Sequence, residues 1–370
     1  MGLSRRSFFG AVSTAAAAAG ASTASTANAA AGNKGKLLRI GVVTCHPAHH
    51  HIPNIWGPLI QGIPLSNGVK LTRMTGMEMT HIWDYDPVRV ESFCAQFGTE
   101  PVKRYDAMTD KVDGVIISDM RNADYFPELA EPYLKAGVPI LFNRPFTSSV
   151  GRAKRIVEAS KKYGTPIMTA SGWEYANQVY AMRRKLKEWG PEIRAVTAFN
   201  SSAEITHDVH GVWILAAMLG SGIESVSVIR GEKSVYKYGT DTWTIKYGAR
   251  EGCPPFYATL HNTSDHDSNC WVKAVTPKGT FEQSLWYLGD TEIRYQHYFL
   301  PPLLEFQRMI ERGTMPQPHD VVLEKTAAFL AGFKSHLEYG GLAVKLSDLE
   351  DDFTVRSDAN TIPYPAGYFD

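Results

Sequence analysis

Hydrophobic and polar positions fall into two successive textures. From Leu37 to Val43 the chain is mostly apolar, and it then enters the polar stretch "TCHPAHHH". A run that short reads as a strand buried on both faces. Similar runs recur at Met77–Asp84, Gly114–Ser118, Val138–Phe142 and Pro166–Thr169. Between them, apolar residues take near-helical spacing. Pro87–Phe97 carries Val88, Val90, Phe93, Cys94 and Phe97 and closes on Gly98; Tyr125–Ala136 closes on Gly137; Ser148–Tyr163 closes on Gly164. Glycine just past the last apolar turn is a helix stop. Ile55–Ile63 begins a more poorly patterned helix. Short strands alternating with helices predict a parallel, doubly wound sheet. Ligands of such sheets bind at the carboxyl ends of the strands. Those ends are the histidine loop, Asp84, Asp119 and Asn143-Arg144.

Past residue 170 the texture changes. A helix is predicted over Ala176–Trp189. Strand-like segments follow at Ile193–Phe199, Ser225–Ile229, Thr242–Tyr247, Phe256–Leu260, Cys270–Val275 and Thr280–Leu285. His207–Leu219, "HDVHGVWILAAML", is apolar nearly all round and reads as a buried helix. A long helix over about Asp320–Tyr339 precedes a polar tail. The expected class is α/β: a Rossmann-like doubly wound parallel sheet over residues 36–170, then an α+β domain with a large, mostly antiparallel open sheet over 171–348, with 349–370 as a tail. The polar run His261–Asn269 reads as a hairpin turn. No run reaches 18 apolar residues, so no membrane-embedded segment is expected.

Composition narrows the function classes. With 38 basic and 38 acidic residues and 44% hydrophobic content, the chain is globular and has no basic field for nucleic acid. Its four cysteines are widely spaced and form no CxxC pair; a Cys253–Cys270 bridge is open to an exported chain. Export is what the first residues imply. Ser4-Arg5-Arg6-Ser7-Phe8-Phe9 is a twin-arginine pattern, an alanine-rich stretch follows, and Ala27-Asn28-Ala29 fits a small-x-small cleavage site. Residues 1–29 therefore read as a signal for the twin-arginine (Tat) export machinery, giving a periplasmic or secreted protein.

The order of pieces resembles the Gfo/Idh/MocA family, the glucose–fructose oxidoreductase and inositol dehydrogenase group, over about residues 37–348. "DYDPVRVESFCAQFG", "VDGVIIS" followed by "YLKAGVPILFNRPFTSS", "GPEIRAVTAF", "HGVWILAAMLG" and the C-terminal "LPPLLEFQRMIERGTMPQPHDVVLEKTAAFLAGFKSH" carry the resemblance. It implies an oxidoreductase acting on CH–OH groups of a carbohydrate or polyol with NAD or NADP, and a homo-oligomer, dimer or tetramer, formed through the open sheet. It also locates residues. Gly41 remains at the first strand, but the three fingerprint glycines fall on Thr44, His46 and His49, where side chains crowd a pyrophosphate and oppose positive φ. Asp84 stands where an acid bonds the ribose, or else caps the turn in "DYDP". Asp119 and Asn143 stand at cofactor-contacting strand ends. The family's Glu-Lys-Pro appears as Asn143-Arg144-Pro145; Arg144 keeps the charge but hardly ever releases a proton. His210 matches the family's catalytic histidine, with Thr206 and Trp213 where acidic residues are usual. Trp173, Glu174, Tyr175 and Asp208 are expected to face substrate.

The residues themselves leave a second chemistry open. His46-Pro47-Ala48-His49 and His207-Asp208-Val209-His210 are both H-x-x-H. Side chains at i and i+3 share a helix face, so His207 and His210, with His46 and His49 from the loop, are candidates for a divalent metal. The rest of the run through His51 reads as solvated or sugar-bonding loop. Three functions follow: a polyol oxidoreductase with tightly held NAD(P), a metal-assisted carbohydrate lyase, hydrolase or isomerase without nucleotide, and a non-catalytic sugar-binding protein.

Overall fold

The computed structural model describes residues 36–46, 51–118, 120–201, 205–231, 240–263, 270–285 and 291–355. The export signal, His49, Asp119, positions 264–269 of the expected hairpin turn, the end of the tail, and the side chains of His207 and Asp208 lie outside what is described.

The first half follows the apolar pattern. Strands β1 (Leu38–Val43), β2 (Met77–Trp83), β3 (Glu100–Pro101), β4 (Gly114–Ile117), β5 (Ile140–Asn143) and β6 (Ile167–Ala170) form one sheet in the order β3-β2-β1-β4-β5-β6. Every pairing in it is parallel. The helices are α1 (Gly57–Gln61), α2 (Pro87–Phe97), α3 (Phe126–Ala136) and α4 (Val150–Tyr163), and a π-helical turn, Ile52–Trp56, leads into α1. The predicted stops hold: Gly98, Gly137 and Gly164 end α2, α3 and α4 in the left-handed conformation.

Period-2 alternation divides the sheet's two faces. Leu38, Ile40 and Val42 bury on one side with Ile116, Leu141 and Met168. Val43, Val115, Ile117 and Phe142 bury on the other against Phe126, Leu129, Ile156 and Val157. Gly41 belongs to this packing: a Cβ there would lie 2.6 Å from Met108 Sδ and 3.3 Å from a Val112 methyl. Its lack of a side chain therefore admits Met108 and Val112 to the core.

The second half begins with α5 (Asn177–Trp189) and builds a seven-stranded sheet. Its strands are β7 (Ala195–Ser201), β8 (Ile223–Arg230), β9 (Asp241–Tyr247), β10 (Phe256–Thr263), β11 (Trp271–Thr276) and β12 (Gly279–Ser284), joined by β13 (Val344–Lys345). The order is β12-β11-β7-β10-β9-β8-β13. Only β7 and β10 run parallel. Helix α6 (Ile205–Leu219) is buried from Val209 to Ala216 and again at Met218 and Leu219, as its apolar surface predicts. Cys253 and Cys270 are both buried free thiols, so the bridge open to them is not formed.

The largest departure from the apolar pattern is helix α7 (Thr291–Arg312), 22 residues that run through Pro301 and Pro302. Proline lacks the amide for its i−4 bond and normally signals a stop. Burial outweighs that signal here. Leu303, Phe306 and Met309 join the core of the first sheet, and a Cβ at Gly114 would meet Ile310 at 2.6 Å. Chain from beyond the second sheet thus returns to cover the first. Helix α8 (His319–Glu338) packs on the second sheet, with Phe333 edge-on to Trp243 at 5.8 Å.

Candidate active site

A line of hydrogen bonds crosses the carboxyl ends of the parallel strands. Thr44 N donates to Trp83 O at 2.8 Å, and Ser118 N donates to Val43 O at 3.0 Å. Asn143 Nδ2 donates to Ser118 O at 3.1 Å. Asn143 pairs with Ala170 in the β5–β6 register, so Arg144 and Ser171 are the next residues off adjacent strand ends, roughly 5 Å apart across the sheet. Ser171 Oγ lies 2.5 Å from His210 Nδ1 on α6. Ser171 and His210 therefore join the two halves at the edge where a doubly wound sheet binds ligands, with Arg144 the next residue off the neighbouring strand.

His210 is 4% exposed. Its ring stacks on Trp173, with centroids 5.8 Å apart and planes 25° apart, and Trp173 stacks on Tyr298 of α7 at 5.2 Å. Gly172 makes this approach possible, because a Cβ there would lie 2.7 Å from Tyr298 O. Trp173 is only partly buried, but His210 and Tyr298 stack on its ring, so its exposed edge is the part left for a ligand.

Asn143 fixes its neighbour's chemistry. Its Oδ1 accepts from Arg144 N at 2.9 Å and from His51 Nδ1 at 2.8 Å. With Nδ2 spent on Ser118 O, Oδ1 accepts and His51 Nδ1 carries the proton, leaving Nε2 as the lone-pair nitrogen of the neutral ring. His51 is 3% exposed and packs on Trp56 at 4.9 Å and Phe299 at 5.1 Å. The histidine run thus ends in a buried, oriented imidazole, not in solvated loop.

The loop after β1 keeps its turn without glycine. Thr44 has φ 69°, the left-handed region that a fingerprint glycine usually supplies. Its hydroxyl is fully buried and has no hydrogen-bond partner among the described residues. Asp84 holds the loop from β2: Oδ2 accepts from Cys45 N at 2.8 Å and Oδ1 from Asp86 N at 3.0 Å, with Arg89 at 3.6 Å. Burial raises the Asp84 carboxyl pKa, while those two amides and Arg89 oppose the rise. The same burial, with Asp84 alongside, pushes the Cys45 thiol up. A dinucleotide fits at the turn, where Thr44 offers the required φ and an unused donor. At the ribose position Asp84 is turned to backbone amides and its side chain is shielded, so there it acts first as the turn cap.

Two expected substrate residues are structural. Glu174 is 1% exposed; its Oε1 accepts from Lys325 Nζ at 2.5 Å and from Gln317 Nε2 at 2.6 Å. Tyr175 is 2% exposed and donates to Thr169 O at 3.1 Å. The alternation of a 3-10 turn, Gly172–Tyr175, sends only Trp173 of this trio toward the crevice. His46 is half-buried at the start of the loop. Among the described residues no three His, Cys, Asp or Glu side chains group as metal donors. Ser171, His51 and Lys325 escape the motif comparison, although His51 lies inside the histidine run.

Residues 64–171 match the model of an oxidoreductase family with an NAD-binding Rossmann fold, Gfo/Idh/MocA. The matched segment starts after α1 and so excludes β1 and the histidine loop. No curated protein matches the chain. Among solved structures, apo scyllo-inositol dehydrogenase from Lactobacillus casei is 13% identical with a TM-score of 0.68, over 84% of this chain and 99% of that one. Myo-inositol dehydrogenase from Lactobacillus casei, in complex with NAD(H) and myo-inositol, is 14% identical with a TM-score of 0.68, over 84% and 96%. A probable dehydrogenase from Thermotoga maritima is 15% identical with a TM-score of 0.67, over 85% and 100%. The chain has the two-domain fold of these dehydrogenases, and its residues 64–171 carry the Rossmann signature of the Gfo/Idh/MocA oxidoreductase family.

Proposed function

We propose that the protein is a nicotinamide-dependent oxidoreductase that interconverts a CH–OH group and a carbonyl on a sugar or polyol. The observation that carries this reading is the contact of His210 with Ser171 and Trp173 at the carboxyl end of β6, beside the strand that ends in Asn143-Arg144. Thr44 would hold the pyrophosphate, with His51 at the head of the π-helical turn and Asn143 at the end of β5 placed to flank it. When bound, the dinucleotide supplies the hydride acceptor.

The chain's own residues do the rest. Trp173, held between His210 and Tyr298, would fix the orientation of the His210 ring and leave its own edge toward substrate. His210 takes the hydroxyl proton as general base. Arg144, a permanent cation, stabilises the developing alkoxide without exchanging a proton. Isothermal titration with NAD and NADP, followed by a polyol panel read at 340 nm, tests the reading.

One observation favours a second reading, a nucleotide-independent carbohydrate lyase, hydrolase or isomerase: Asp84 is committed to the loop backbone. The same titration separates the two, because that enzyme gives no heat with either nucleotide. The proposal includes twin-arginine export to the periplasm or beyond and pairing of copies through the open seven-stranded sheet. Signal cleavage in a host with and without twin-arginine translocation, and sedimentation of the mature protein, test these two elements.

A further inference from the structure

The chain leaving β1 is tied down twice. Cys45 N donates to Asp84 Oδ2, just past β2, at 2.8 Å. At the end of the histidine run, His51 Nδ1 donates to Asn143 Oδ1, the last residue of β5, at 2.8 Å. We propose that His51 is a positioning residue for Arg144: its Nδ1–H holds the Asn143 carboxamide that also accepts from the Arg144 amide, so that a ligand seated on the loop after β1 is registered at the end of β5. The link from His51 to Arg144 stands on the geometry alone. The identity of the ligand, a nicotinamide dinucleotide, rests on the reading above.

Each atom of the link has one assignment. Arg144 N can only donate, at 2.9 Å, and Ser118 O can only accept, at 3.1 Å. The Asn143 atom facing Arg144 is therefore Oδ1 and the one facing Ser118 is Nδ2. A carboxamide turned over would set donor against donor and acceptor against acceptor. Because Oδ1 only accepts, His51 Nδ1 carries the proton, and it does so whether the ring is neutral or protonated. Asn143 is fully buried and His51 nearly so, so bulk water does not stand in for either group. The ring itself is fixed by Trp56 at 4.9 Å and by Phe299 of α7 at 5.1 Å. Without the His51 donor, Asn143 keeps only Ser118 and its neighbour's amide, and the turn that carries Arg144 loses its tie to the loop. A displacement of about 1 Å at a reacting centre costs on the order of 10²-fold in rate.

The test uses the full mature protein labelled with 15N-histidine and 15N-arginine. Beside it stand His51→Phe, which keeps a ring but no donor, and His51→Asn, which keeps an N–H at the place of Nδ1. The His51 ring signal is assigned by its loss in His51→Asn, and the Arg144 amide by its loss in Arg144→Lys. At about pH 8.5, roughly two units above the ordinary histidine value, the wild-type ring should carry its proton on Nδ1. Exchange of the Arg144 amide with solvent should quicken by about 5–10-fold in His51→Phe, the equivalent of one hydrogen bond, and stay near wild type in His51→Asn. NAD at millimolar concentration should move the Arg144 amide signal in the wild type and in His51→Asn, and much less in His51→Phe. Polyol kcat should fall by about 10–100-fold in His51→Phe, with KM nearly unchanged, and recover in His51→Asn. An Nε2–H tautomer in the wild type, unchanged Arg144 exchange in His51→Phe, or equal losses in the two variants overturns the proposal. So does NAD binding that leaves the wild-type Arg144 amide unmoved. The wild-type tautomer and NAD response need no variant, and they decide the matter if His51→Phe does not fold. A protein that binds no NAD yet shows the exchange difference upholds the His51 link and removes the nucleotide reading instead.

Discussion

Lys325 Nζ lies 2.5 Å from Glu174 Oε1, with both side chains wholly shielded from solvent. The same ammonium lies 4.1 Å over the Trp213 ring. One lysine on α8 therefore holds the residue after Trp173 and the helix turn after His210, which fixes the spacing of the stacked pair. Burial lowers the Lys325 pKa, and Glu174 opposes that. Lys325→Met strands a buried carboxylate and should cost about 3–5 kcal/mol. Lys325→Met with Glu174→Gln should recover most of it. Urea unfolding of the three proteins measures this; a single variant as stable as wild type contradicts the clamp.

His210→Asn should lower turnover by about 10²–10⁴-fold, the range for loss of a general acid–base. The fold should survive, because asparagine keeps a polar group beside Ser171 Oγ in place of the buried ring. Steady-state kinetics paired with circular dichroism checks this. Unchanged turnover removes His210 from the mechanism.

Thr44→Val separates two roles of one hydroxyl. Losing an unsatisfied buried hydroxyl should stabilise the nucleotide-free protein by roughly 1 kcal/mol, within the range of the desolvation penalty for such a group. Nucleotide affinity should fall, because the donor is gone. Thermal unfolding and calorimetric titration should thus move in opposite directions. Equal affinity in the variant would mean that the turn backbone alone holds the pyrophosphate.

The pH response of stability should show Asp113. This carboxylate accepts from Arg39 N at 2.8 Å and Arg39 Nε at 3.1 Å, and pairs with Lys36 at 3.0 Å. Burial pushes its pKa up, but these bonds outweigh that and set it below the usual value. A depressed acid contributes stability above its unfolded value, about 3.9, and loses it as pH falls through the folded one. Asp113→Asn should be less stable at pH 7 and show a shallower loss below about pH 4. Unfolding midpoints across that range check the sign.

The parallel sheet was legible because strands such as Gly114–Ile117, Ile140–Asn143 and Ile167–Ala170 are buried on both faces and helices between them close on glycine. Their ends pointed to Asp84, Asn143 and Arg144 for the same reason. Helix α7 was not legible from periodicity, since Pro301-Pro302 reads as a break and the burial that overrides it comes from a distant sheet. Glu174 and Tyr175 look like site residues by their neighbourhood to Trp173, but a 3-10 turn faces them inward, and their partners Lys325 and Thr169 share no local pattern with them. Ser171 carries no signal of its own. Its meaning exists only where β6 ends against α6.

The most direct test of the account is absorbance at 340 nm when the mature protein meets NAD and a panel of inositols and sugars, run in parallel with His210→Asn. The account predicts NADH formation with at least one polyol and its loss in the variant. No binding of NAD or NADP at millimolar concentration, and no absorbance change with any polyol, would contradict it.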